Sequence, residues 1–135
     1  MMSKKRKEDK IMEFLPNPKQ MEYHTGDFLP GSQTKIVLCG TEPGAFLYAQ
    51  MLQKELKEEA GLSLDILRAL RPTESGDIVL CLDQKLEKDH YQLAIEEDKI
   101  SLAAGSDEAL CNGVQTLCQV IQLHGAVLPC LSITD

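Results

Sequence analysis

Two stretches of the chain repeat apolar residues at the three-to-four-residue spacing of an amphipathic helix. The first follows Thr41, a residue type suited to capping a helix, and stops at Gly61, a residue suited to ending one. The second follows Ser106, another capping residue, and stops at Gly125. We therefore expect one helix in each stretch.

Shorter apolar runs between these stretches predict β-strands. Two of the runs alternate apolar with polar or small residues and are separated by the charged residues 96–99, which predicts a β-hairpin with a charged tip. Residues 62–70 fit either a short helix or a strand, and Gly26 with Asp27 predicts a turn. Strands are expected over residues 21–25, 35–39, 77–82, 91–95, 100–103 and 127–133, the last interrupted by Pro129.

The order of these elements predicts the fold class. The succession of strand, helix and strand over residues 35–82 indicates a parallel pair joined by a right-handed crossover. Gly113 lies inside the second helix at a cost of about 1 kcal/mol, which a close approach of that helix to a sheet would explain. We predict an α+β fold, a two-layer sandwich with a mixed β-sheet and two helices on one face. The other sheet face would be free to meet a partner.

The length of 135 residues fits one domain. We expect residues 1–12 to be a disordered or frayed tail and residues 13–135 to be a single α+β domain. The basic run Lys4–Lys7 resembles the start of a signal peptide, but charged residues follow it in place of an apolar stretch. A nuclear-import or phosphate-binding tail is the alternative interpretation of that run. No apolar run is long enough to cross a membrane, so no membrane partner is expected.

Charge and aromatic content exclude two classes of binding protein. The net charge of −7, from 21 acidic against 14 basic residues, argues against a general nucleic-acid binder. Six aromatic residues and no Trp argue against a dedicated carbohydrate-binding surface, which stacks sugars on aromatic rings.

The five cysteines form an odd set, Cys39, Cys81, Cys111, Cys118 and Cys130. An odd count without an export signal favours free, buried thiols and a cytoplasmic location. Zinc binding is the alternative, because Cys111 and Cys118 would share one helix face, but no Cys-x-x-Cys pair supports it.

No catalytic constellation stands out along the chain. Phosphate-loop and nucleophile-elbow motifs are missing, and the cysteines have no basic neighbours to activate them. His24 and His90 are interpreted as surface residues, and Asp65 and Asp83 as turn formers at strand ends. We therefore predict no catalytic, cofactor-binding or metal-ligating residues and no cofactor.

Four segments, taken in order, resemble one known protein family. The most specific is Gly113-Val-Gln-Thr-Leu-Cys-Gln119 within the second predicted helix. It looks like the helix motif of the small domain that precedes the catalytic barrel in family 20 glycoside hydrolases, the β-N-acetylhexosaminidases. The supporting segments are Leu15–Lys19, the hairpin of residues 91–104, and Leu128–Asp135. One departure is Ala109, near which the family usually has a glycine.

This resemblance implies a zincin-like, hexosaminidase-type N-terminal domain without catalytic residues of its own. It would pack against and support a downstream TIM-barrel catalytic domain of the same polypeptide, which acts on terminal N-acetylhexosamine. Family 20 enzymes use the substrate's own acetamido group as nucleophile, so that chemistry belongs to the barrel.

Three alternatives stay open beside this interpretation. One is an accessory domain of another glycosidase family, and another is an independent protein- or glycan-binding module. The third is a small stand-alone enzyme that uses a thiol or a metal. Self-association of the isolated domain is a further expectation about partners.

Overall fold

A computed structural model describes residues 20–41, 43–71 and 75–135 of the chain. The predictions made for residues 1–12 and for the Leu15–Lys19 segment lie outside these residues. Glu42 and residues 72–74 lie outside them as well.

The described residues form one seven-stranded sheet, in the spatial order β1-β7-β5-β6-β4-β2-β3. The β3–β2, β2–β4 and β4–β6 pairs are parallel, whereas the β6–β5, β5–β7 and β7–β1 pairs are antiparallel. The sheet is therefore mixed, as predicted. The strands are β1 Gln20–Phe28, β2 Ile36–Cys39, β3 Ile66–Ala69, β4 Ile78–Leu82, β5 Tyr91–Ile95, β6 Ile100–Ala104 and β7 Leu128–Thr134.

The expected parallel pair is β2 with β4, and their register places Ile36 beside Ile78 and Cys39 beside Cys81. The ambiguous residues 62–70 contain β3, which pairs with the other side of β2 and forms one edge of the sheet. The predicted hairpin is β5 with β6, and its charged tip closes through a bond from the Glu96 amide to the Lys99 carbonyl at 2.8 Å.

Helix α1 spans Phe46–Ala60 and ends at Gly61, whose φ of 69° is the left-handed conformation expected of a stop residue. The prediction that Thr41 caps this helix is wrong. A 3₁₀ turn, Pro43–Ala45, comes first, so Ala45 takes the N-cap position without any side-chain bond. The wrong prediction placed the start of the helix too early because the apolar spacing already begins within the turn.

Helix α2 spans Asp107–His124 and begins as the sequence predicts. The Ser106 side chain accepts a hydrogen bond from the Ala109 amide at 3.1 Å, which satisfies one free donor of the first turn. Asp107 and Glu108 lie in that turn, where the helix dipole favours negative charge. Gly125 follows the last residue of the helix and bonds back to Ile121.

The turn predicted at Gly26 and Asp27 is wrong, because β1 continues through both residues. A bulge between Tyr23 and Asp27 absorbs the irregularity, and Gly26 has a φ of 104°. Asp27 then pairs with Pro129 of β7. Pro129 fits within this inner strand because the pairing of β7 with β5 begins only at Leu131, so the missing N–H is not needed there.

Both helices pack on the same face of the sheet. Alternate strand residues such as Ile36, Leu38, Ile78 and Leu80 form the main core with the buried residues of α1 and α2. The intervening residues Val37, Cys39 and Val79 form a separate small cluster that includes no helical residue. Since successive strand side chains point to opposite faces, this cluster lies on the helix-free face. The two-layer α+β prediction is confirmed.

Candidate functional surfaces

The residues weighed as candidates in the sequence are scattered in the structure. Asp83 follows β4, and its Oδ1 accepts a bond from the Lys85 amide at 2.9 Å, as a turn former does. Asp65 is exposed and precedes β3, where its carbonyl accepts from the Ile36 amide. Residues 96–98 of the hairpin tip are also exposed. None of these carboxylates is held as a catalytic acid or base would be.

His24 lies on the exposed side of β1, and its Nε2 is 3.1 Å from the Ser132 hydroxyl on β7. The pair lines a cleft of about 600 Å³ that also includes residues 94–98 and Cys130. Burial and the nearby carboxylates of Glu97, Asp27 and Glu96 raise the pKa of the Cys130 thiol, so it stays protonated. This cleft has acidic residues at its rim, a mixed polar and apolar lining, and a cysteine that is not activated as a nucleophile.

His90 is half-buried, with part of its side chain at the surface as expected. Its Nε2 lies 3.8 Å from Glu87 and 3.6 Å from Asp89, and the three side chains are close enough to share an ion. This is the one such group among the described residues, and the sequence analysis did not single it out. Both carboxylates are highly exposed, and exposed ion pairs of this kind contribute little.

All five cysteines are free thiols. Cys39, Cys118 and Cys130 are buried, as expected, whereas Cys81 and Cys111 are half-buried. Burial, followed by the charge of Glu55, raises the pKa of Cys118 to about 12. In the described part of the chain, no group of three or more metal-ligating side chains includes a cysteine, so the zinc alternative gains no support.

Large apolar side chains are exposed at the start of α1. Leu47 is 63% exposed, Met51 40% and Phe46 39%. Leu47 and Met51 are four residues apart and therefore neighbours on one side of the helix. We call these three residues the α1 apolar patch. Clusters of exposed apolar residues mark contact surfaces more often than single ones do.

Among the described residues, no helix has the length and apolar character needed to cross a membrane.

A mixed sheet with two helices packed on one face defines a two-layer α+β domain. Residues 12–135 match the family described as glycosyl hydrolase family 20, domain 2. The chain belongs to this family. No match was found among curated protein sequences.

Solved structures share this fold. Flavobacterium johnsoniae chitobiase aligns with a TM-score of 0.76 and 18% identity, over 94% of this chain and 21% of that protein. The GH20 exo-β-N-acetylglucosaminidase of Vibrio harveyi gives 0.71 and 22%, over 93% and 19%. CpGH84D gives 0.71 and 14%, over 91% and 23%. The chain thus spans only about a fifth of the length of these proteins.

Proposed function

We propose that this chain is the non-catalytic accessory domain of a β-N-acetylhexosaminidase-like enzyme. It packs against and supports a TIM-barrel catalytic domain that follows it in the same polypeptide. The observation that carries the proposal is the family match over residues 12–135, together with GH20 structures in which this fold occupies about a fifth of the protein. Two further observations agree with a supporting role: Asp83 is held in a turn by the Lys85 amide, and burial raises the pKa of the Cys118 and Cys130 thiols, which keeps them protonated.

The first experiment asks whether the isolated chain has activity. Purified residues 1–135 are incubated with an aryl N-acetylglucosaminide, and release of the aryl alcohol is followed. We expect no turnover, and turnover by this chain would overturn the proposal. The coding sequence after Asp135 provides the complementary observation, since the proposal requires a barrel with an Asp-Glu pair there.

The α1 apolar patch is the surface we assign to the barrel contact. Its exposed apolar side chains would be covered by a neighbouring domain, whereas Val37 and Val79 on the helix-free face are already almost fully buried. The fold predicted from the sequence left the other sheet face free to meet a partner. The exposure of Leu47 and Met51 favours the helix instead.

A charge-introducing variant tests this surface. Leu47→Glu with Met51→Glu should leave the melting temperature of the isolated chain nearly unchanged, because both side chains are exposed there. In the intact parent enzyme the same pair should lower the melting temperature and speed proteolytic release of the domain. Leu70→Glu is the matched control, since Leu70 is fully exposed and lies beyond β3. Equal effects of the pair and the control in the parent would contradict the assignment.

The exposed α1 apolar patch would also cause self-association of the isolated domain. With the α1 apolar patch uncovered, two copies can bury it against each other at high concentration. Sedimentation velocity should then show concentration-dependent dimers that the Leu47→Glu, Met51→Glu pair abolishes.

Five free thiols further support a reducing, cytoplasmic location, which fractionation of the source cells would test.

One observation favours a second class of parent enzyme. CpGH84D shares the fold at a TM-score of 0.71, and its name carries a different family number from the GH20 structures. An accessory domain of another glycosidase family is therefore the second candidate, and the sequence after Asp135 discriminates the two. An independent glycan-binding module would instead require the isolated chain to bind a glycan array.

A further inference from the structure

Two of the five thiols lie side by side on the helix-free face of the sheet. Cys39 ends β2, Cys81 is on β4, and the parallel register of these strands pairs the two residues directly. Their thiols are within hydrogen-bonding reach of each other. Both belong to the small apolar cluster on that face, with Val37, Val79 and Ala69.

The other three cysteines have no comparable neighbour. Cys111 and Cys118 are on α2 but seven residues apart, which is about 10 Å along a helix axis. Cys130 lies on β7, separated from β4 by two strands of the sheet. Direct pairing of cysteines is thus particular to Cys39 and Cys81.

Strand geometry permits a bond between these two sulfurs. Directly opposed residues on neighbouring strands have backbones about 4.8 Å apart. This spacing falls within the range of roughly 4.4–6.8 Å between the Cα atoms of disulfide-bonded cysteines. Cys81 is half-buried, so a small reagent can reach it from solvent, whereas Cys39 is 8% exposed and is reached through its neighbour.

We propose that Cys39 and Cys81 are an oxidisable dithiol, which a small-molecule disulfide such as oxidised glutathione converts into a cross-strand disulfide. The Cys81 thiolate attacks one sulfur of the oxidant, and one glutathione leaves and takes up the proton. Cys39 then attacks the Cys81 sulfur of the mixed disulfide and releases the second glutathione with its own proton. The protein thiols lose two protons and two electrons, and the S–S bond of the oxidant is reduced.

The surroundings make this oxidation slow at neutral pH. Burial, the hydrogen bond that the Cys81 thiol donates to Cys39, and the charges of Cys39 and Asp83 raise the pKa of Cys81 to about 12. The neighbour from the other side, Ala103 on β6, carries no charge. The thiolate is the attacking species. As long as the pH stays below that pKa, each increase of one pH unit should therefore raise the rate up to tenfold.

Incubation of the folded chain with oxidised glutathione at pH 8.5, followed by alkylation and peptide mapping, tests the proposal. We expect the five free thiols to fall to three, with a Cys39–Cys81 cross-link as the main product. Cys39→Ser should instead accumulate a glutathione adduct on Cys81, because the resolving thiol is gone. Cys130→Ser is the matched control and should form the cross-link as the wild type does.

Three outcomes would overturn the proposal. These are five alkylated thiols after prolonged oxidation, cross-links distributed over the other cysteines, or a stable glutathione adduct on wild-type Cys81. The wild-type map decides the question even if Cys39→Ser does not fold, and circular dichroism of each variant identifies that case.

Discussion

At the scale of single residues, a buried chain of hydrogen bonds joins β5 to α2. The Tyr91 hydroxyl lies 2.7 Å from the Thr116 hydroxyl, and Thr116 Oγ1 donates to the Asn112 carbonyl at 3.2 Å. A carbonyl can only accept, so the one hydroxyl proton of Thr116 is used there. Tyr91 must therefore donate to Thr116. Burial also raises the pKa of Tyr91, which keeps its proton available for this bond.

Because Tyr91 is the donor, removing its hydroxyl and removing that of Thr116 should lower stability by different amounts. Tyr91→Phe removes one donor and leaves Thr116 bonded to Asn112, so it should cost about 1 kcal/mol of unfolding free energy. Thr116→Val strands the buried Tyr91 hydroxyl and should cost more, roughly 1–3 kcal/mol. Urea unfolding followed by far-ultraviolet circular dichroism measures both. In the double variant the two costs should not add, and simple additivity would contradict the bonded chain.

Sequence reasoning could not find this pair. Thr116 lies among apolar residues of α2, and its partner Tyr91 is 25 positions earlier on a different element. In contrast, the Ser106 cap could be predicted, because its partner Ala109 is three residues away. Local hydrogen bonds leave a signal in sequence spacing, and those between elements do not.

At the scale of elements, α2 approaches the sheet closely at Gly113. A Cβ atom placed there would lie 2.6 Å from Cδ1 of Leu102 on β6, and Leu102 is fully buried. This contact confirms the close approach that Gly113 predicted. It also explains why a residue unfavourable in helices is tolerated at this position.

The variant Gly113→Ala tests this contact. Alanine should gain about 1 kcal/mol in helix propensity but lose roughly 1–3 kcal/mol to overpacking, for a net loss of stability. In a Leu102→Ala background the same substitution should become neutral or stabilising. Gly44→Ala is the control, since nothing lies within 4 Å of a Cβ there. A stabilising Gly113→Ala in the wild-type background would contradict the close approach.

The elements that sequence patterns missed depend on tertiary contacts. The 3₁₀ turn before α1 displaced the cap from Thr41, whose Oγ1 is buried without a hydrogen-bond partner. The apolar pattern of β3 is too short to distinguish a strand from a helix. It is the pairing with β2 that makes this segment a strand. Gly26 is a turn former by composition, but pairing with β7 holds it in a bulged strand.

At the scale of the whole molecule, composition and periodicity could not predict the order of the strands in the sheet. β3 precedes β4 in the chain but lies on the far side of β2 from it, and β7 inserts between β1 and β5. Such pairings join residues distant in sequence, so the segment pattern alone is compatible with several sheets. The resemblance carried by residues 113–119 led to the family, which the match over residues 12–135 shows.

Global stability should fall in alkaline solution because of the buried thiol of Cys118. Its pKa is raised from 9.0 to about 12 in the folded chain. Between these values the unfolded thiol has lost its proton and the folded one has kept it. The unfolded state therefore binds fewer protons, and stability decreases with rising pH. The contribution is fully present below pH 9 and is lost at about 1.4 kcal/mol per pH unit above it.

Cys118→Ala tests this by removing the titrating group. The variant should be less stable than the wild type at pH 7.5, where the buried thiol packs in the core, but its free energy of unfolding should fall less steeply above pH 9. Val120→Ala is the matched control, because it also removes buried atoms from α2 without removing a proton. Urea unfolding at pH 7.5, 9 and 10.5 gives the three slopes. Lysine deprotonation affects all three proteins alike, so identical slopes for Cys118→Ala and Val120→Ala would show that Cys118 does not couple folding to pH.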